Sequence, residues 1–134
     1  MRPILRGLPV LIAAGCHSSA PANPAPAPAD PAAVTVHEVL TTPALVGRLV
    51  RVTGRCLGYA EPLLAKGSPP RTRSDWQLED GGEALWVTGP FPEGCTATTP
   101  ANGTSQVRGV VAHDTLLALG GGAPVARQYL VGQR

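Results

Sequence analysis

Three cysteines, three histidines and a scatter of arginines are the side chains of this sequence with the most chemistry to offer. Cys16, Cys56 and Cys95 stand far apart, and the Cys-x-x-Cys spacing of a redox pair is absent. A metal site drawn from Cys56, Cys95 and His113 would start without any closely spaced ligand pair, so His37 and His113 read as surface or strand-end residues. No metal and no other cofactor is implied. Gly120-Gly121-Gly122 is followed by Ala-Pro rather than the Lys-Ser/Thr of a phosphate-binding loop, and reads as a flexible turn. Ser, His and Asp occur without a nucleophile-elbow sequence. No catalytic constellation emerges, and the chain reads as a non-enzyme. One asymmetry remains: Arg48, Arg51 and Arg55 fall together in one segment, and Lys66, Arg71 and Arg73 in the next, so one half of the body is basic.

Strands must position these groups. Leu49 to Gly58 alternates strictly, with Val50, Val52, Gly54 and Cys56 on one face and Leu49, Arg51, Thr53, Arg55 and Leu57 on the other, the period of a half-buried β-strand. Gly54 marks a sharp bend in it. Periodicity predicts five strands, over about 48–59, 75–80, 84–89, 106–113 and 125–131. Asp80-Gly81-Gly82 supplies the positive-φ residues of a tight hairpin between the second and third. Leu78, Leu85, Val87, Val107, Gly109 and Val111 then join Val50 and Val52 inside, with Trp76 in the core by parity. Trp86 points away from Leu85 and Val87, which puts it on the outer sheet face. Ahead of the strands, Val34 to Gly47 reads as a lead-in strand or a helical turn, in which Thr35 could cap a helix with Glu38 three residues on. The stretch from Gly89 to Ser105 has three prolines and three glycines, too many for a helix. It is expected to be an ordered loop plugging one barrel end with Phe91. Aromatics at 4% beside 16 Gly and 15 Pro fit a turn-rich, all-β body with a thin core.

The first third differs. Arg2 and Arg6 precede a short apolar run from Leu8 to Ala14, the charged-then-apolar order of an export signal and too short to span a bilayer. Ala14-Gly15 directly before Cys16 resembles the lipobox of bacterial lipoproteins. The resemblance implies a signal peptide over 1–15, a lipidated Cys16 as new N-terminus, and a place in the cell envelope. His17 is not the Asp that signals inner-membrane retention, so in a cell with two membranes the outer membrane, facing the periplasm, is favoured. An ordinary cleaved signal is the alternative. Residues 16–33 are a Pro/Ala-rich, disordered linker that joins neither helix nor sheet and reaches on the order of 50 Å when extended. A proline-rich ligand for a partner domain is its other reading. Without Arg2 and Arg6, nine basic residues face nine acidic ones, and the mature net charge is zero. Nothing attracts a polyanion at long range.

Residues 34–134 resemble the OB-fold domains of the tRNA-anticodon-binding type, on the lead-in Leu-Val-Gly, then Val-x-Val-x-Gly, Leu-Glu-Asp-Gly, an apolar strand with Trp, and Val-x-Gly-Val-Val. The resemblance implies a small five-stranded Greek-key barrel that binds single-stranded nucleic acid or oligosaccharide in many members. It also implies a ligand groove flanked by the first loop, here lined by Arg51, Arg55, Arg71, Arg73 and Trp86, which would suit an anionic, partly stackable ligand. The charged residues could equally serve only to keep the sheet soluble. The expected partners are the membrane through Cys16, and an envelope protein, a glycan or a small anion. Nucleic acid is disfavoured by the zero net charge and the single outward Trp.

With Cys16 committed to lipid, an exported compartment favours pairing of the other two cysteines. In a barrel, Cys56 and Cys95 fall at the same pole if the loop after Gly89 folds back, so a structural disulfide is expected over two free thiols.

Overall fold

In the computed structural model the described residues are 30–118 and 120–134, with Gly7, Gly15 and Ser19. Cys16, and with it the expected lipidation, lies outside them, as does most of the leader and linker. The elements are β1 (Ala32–Val34), α1 (Val36–Thr41), a 3-10 turn (Pro43–Leu45), β2 (Leu49–Gly58), β3 (Trp76–Asp80), β4 (Glu83–Thr88), β5 (Thr104–Leu116) and β6 (Val125–Gly132).

The strands run in the order β2-β3-β4-β6-β5, and β5 pairs back onto β2, which closes an OB-like barrel with β1 added outside the ring. All neighbours in the ring are antiparallel except β4 and β6. The expected five-stranded all-β barrel is therefore present. Gly54 stands where β2 changes partner, since Leu49 to Arg55 pair with β5 and β3 begins at Arg55. A Cβ at Gly54 would come within 2.7 Å of the Glu79 carbonyl, so the strand crosses its neighbour too closely for any side chain. Gly81 and Gly82 have φ of 63° and 83°, the mirror-image turn that matches strand twist in a two-residue hairpin.

Every second residue of the strands points inward, as alternation requires. Val50, Val52, Leu78, Leu85, Val87, Val107 and Val111 form one buried cluster with Trp76, Leu130 and α1's Val36 and Val39. The two barrel ends are closed differently. At one, α1 packs against β4 and β6; its first turn is held by a capping box in which Glu38 N–H donates to Thr35 Oγ1 and Thr35 N–H to Glu38 Oε2. Its last carbonyls would otherwise lack partners, and Gln128 Nε2 donates to those of Val39 and Thr42. At the other end, the loop after β4 folds inward: Phe91 stacks on Trp76 at 5.9 Å between ring centroids, and Cys95 is bonded to Cys56. Tyr59 N–H and Ala101 N–H tie this loop and the end of β2 together through the Ala97 and Cys56 carbonyls.

The linker expectation needs one correction. Ala32 and Ala33 were to be part of a segment outside any sheet, yet they pair in parallel with Val50 and Arg51. They follow the last proline, Pro31, so their backbone N–H groups are available, and the edge of β2 before Arg55 has no other partner on that side.

Candidate binding site

The residues expected to line one anionic groove are not brought together. Arg51 and Arg55 stand on the outer face of β2, where Arg51 Nε donates to the Pro31 carbonyl and Arg55 Nε to that of Ala101. Arg71 lies instead over β6, its Nε donating to Tyr129 Oη at 3.0 Å and its guanidinium 5.8 Å from the centre of the same ring. That hydrogen bond raises the Arg71 pKa above its ordinary value. Arg73 is exposed beside it.

Trp86 overturns the expectation most plainly. It does point outward from the barrel, paired with Gln77 across the hairpin, but it is only 1% exposed. The segment between β2 and β3, residues 59–75, runs back as a strap over the outer face of β4 and β6 and covers the indole. Beneath it Trp86, Ala84, Tyr129 and Ala65 make a second, smaller core, with Tyr59 against the Trp86 ring at 5.7 Å.

The strap carries no repeating pattern, so side chains of the barrel must satisfy its backbone. Trp86 Nε1 donates to the Lys66 carbonyl at 3.1 Å. Arg127 Nη1 donates to the carbonyls of Lys66 and Ser68 while its Nε and Nη2 grip both oxygens of Asp114. Buried Gln77 accepts from Leu64 and Ala65 N–H through Oε1, and Asp75 organises the return turn by accepting from Arg71 and Thr72 N–H. Sequence reasoning missed Gln77, Asp114 and Arg127 altogether. A signal existed for the first, since Gln77 shares the parity of Trp86; none existed for Asp114 and Arg127, which meet only through the register of β5 and β6.

A groove does exist, at a different place. β4 and β6 pair only at Val87↔Leu130 and Thr88↔Val131. Toward the hairpin end the strands part, and a cavity of about 270 Å³ opens between them, bounded also by the strap tip and the end of α1. Leu40, Leu64, Leu85, Leu116 and Val125 supply apolar wall, and Lys66, Glu83 and Arg127 the polar part. Leu64 and Val125 at its rim are 46% and 50% exposed, and Leu117 beyond Leu116 is 81% exposed. Large apolar side chains left in water around a concavity are the usual mark of a surface that meets a partner.

Comparison of the chain with protein-family models, with curated proteins and with solved structures gave no match.

Proposed function

We propose that this chain is a non-enzymatic lipoprotein of the cell envelope, anchored through Cys16, whose OB-like barrel is joined to the anchor by a Pro/Ala-rich tether and binds another envelope protein. The observation that carries the binding role is the groove at the parted β4–β6 seam with Leu64 and Val125 exposed at its rim. Of the three ligand classes considered, a protein segment with apolar side chains suits these walls best. A glycan would ask for more hydrogen-bonding groups, and a small anion for cations without the neighbouring Glu83. Burial of Trp86 beneath the strap removes the one expected stacking platform for nucleic acid, which counts further against that reading.

The anchor is tested by fractionation. Cys16→Ser is expected to move the protein from the membrane to the soluble fraction, because the apolar run alone is too short to hold it; continued membrane association refutes lipidation at this position. The groove is tested by crosslinking the native protein in its own envelope. Leu64→Glu and Val125→Glu place charge at the rim without touching the inner core, and each is expected to weaken capture of a discrete protein adduct about tenfold or more, since losing an apolar anchor costs on the order of 1–3 kcal/mol. An adduct yield unchanged in both variants would remove the groove from consideration.

A further inference from the structure

The outer face of β2 and β5 carries a feature that folding does not explain. Arg51 and Arg108 are directly opposite across the antiparallel pair, and Arg55 follows four residues along β2 on the same face, beyond Thr53. Like charges in directly opposed positions destabilise a sheet. The two ion pairs formed among the described residues, His37 with Glu83 and Arg127 with Asp114, involve none of the three. Arg51 and Arg55 are tethered by Nε alone, to the carbonyls of Pro31 and Ala101, which holds each side chain in place and leaves its terminal nitrogens to outside ligands. Glu79 is opposite Arg55 through β3, with Oε1 accepting from Gly82 N–H. Arg134 lies close to Arg108, since Gln133 N–H donates to the Arg108 carbonyl.

This face also lies where the tether arrives. The chain enters the sheet at β1, alongside Val50 to Val52, and the carbonyl that Arg51 holds is that of Pro31, the last residue before β1. We infer that the Arg51–Arg108–Arg55 face docks on the surface of the membrane to which the chain is anchored, with lipid phosphates lying between the opposed guanidinium groups. A planar guanidinium fork suits phosphate oxygens, and an anion between two of them turns their repulsion into attraction. Three arginines bind an anionic surface only weakly from free solution. A short tether raises the effective concentration of the face at that surface to the millimolar range, where weak contacts are occupied. Docking in this orientation turns the outer face of β4, with Trp86 and the strap over it, away from the lipid.

The test uses the chain from Cys16 to Arg134, which carries every strand, helix and core residue described. With Cys56 and Cys95 bonded to each other, Cys16 is the one thiol left for coupling to a maleimide lipid. Chemical coupling supplies the anchor whether or not the cell lipidates Cys16, so the docking face and the lipoprotein reading on which it rests fail separately. Energy transfer from the tryptophans to dansyl headgroups is compared on phosphatidylcholine vesicles with and without phosphatidylglycerol. Transfer is expected to rise about twofold on the anionic vesicles and to return to the neutral level at about 0.5 M salt, where screening is nearly complete. Arg51→Gln with Arg108→Gln should abolish the rise while melting within a few degrees of the parent, because relief of the like-charge pair offsets the lost Arg51 bond to the Pro31 carbonyl. Arg71→Gln, in the strap beside Tyr129 of β6, should leave the rise intact. Equal transfer on both vesicle types, an undiminished rise in the double variant, or an equal loss in Arg71→Gln overturns the inference. Saturable binding of inorganic phosphate at micromolar concentration by the uncoupled chain, in the absence of vesicles, also overturns it, by showing a built site for the soluble anion instead.

Discussion

Replacement of both bonded cysteines, Cys56→Ala with Cys95→Ala, is expected to lower the melting temperature by roughly 15–30 °C, from a loss of about 4 kcal/mol and the usual entropy of unfolding for a domain of this size. The bond joins residues 39 apart in sequence. In the unfolded chain it forbids every conformation in which those residues separate, and that restriction is the main source of the stabilisation. Domains of this kind have about 5–15 kcal/mol in total, so the bond supplies a large share of it. Equilibrium urea unfolding checks both parts of the expectation. The free energy should fall by about 4 kcal/mol, and the slope against urea should steepen because the uncrosslinked unfolded state exposes more surface. A loss below about 1 kcal/mol would mean that the loop from Gly89 to Gly103 is held by its backbone hydrogen bonds, such as Ala101 N–H to the Cys56 carbonyl, with little help from the bond.

Trp86→Ala is expected to cost about 3–5 kcal/mol, the range for emptying a buried aromatic site. A solvent-facing residue of a sheet would cost within about 0.5 kcal/mol, so the measurement separates the buried position from the exposed one that strand parity suggests. Trp86→Phe keeps most of the packing and removes the donor to the Lys66 carbonyl, and should cost about 1 kcal/mol beyond the small change in volume. The loss should also be local in its first effect. With the indole gone, the strap keeps the Arg127 and Gln77 hydrogen bonds but loses the surface on which Tyr59 and Ala65 rest. Trypsin should then cut at Lys66, Arg71 and Arg73 faster than elsewhere, under conditions where the barrel still melts cooperatively. Cutting at an unchanged rate, with the stability lost, would show that strap and barrel unfold as one unit.

Much of the barrel could be read before any coordinates because its signals are short-range. Alternation along Leu49 to Gly58 identifies the inward set Val50, Val52 and Cys56 from one strand alone. Asp80-Gly81-Gly82 specifies its hairpin because only residues at ease with positive φ can turn there, and Thr35 with Glu38 specifies a helix start through two hydrogen bonds three residues apart. Phe91 was legible as a plug because it is the large apolar residue of its loop. The cysteine pair was favoured by the expected export of the chain and by strand direction, which places both residues at one pole once the loop after Gly89 folds back.

The site was less legible. Parity states which side of a strand a residue occupies, and for Trp86 it was correct. Whether that side meets water depends on residues 59–75, whose course is decided by contacts such as Arg127 to the Lys66 carbonyl, between residues 61 apart. A segment without periodicity carries no local record of such contacts. The basic groove failed for a related reason: Arg51, Arg55, Arg71 and Arg73 are close in sequence, but the strap carries the last two around the barrel to Tyr129.

By itself the sequence determined the five strands of the ring, their inward faces and the hairpin, and offered the helix start and the crosslink, all consequences of backbone geometry and side-chain order within a few residues, or of strand direction. Only the tertiary structure decided that Ala32 and Ala33 join the sheet, that the strap buries Trp86, that Arg51 meets Arg108, and that β4 and β6 part to leave a groove. Each of these depends on which strand edges and side-chain donors remain unsatisfied once the barrel has closed, and closure is a property of the whole chain.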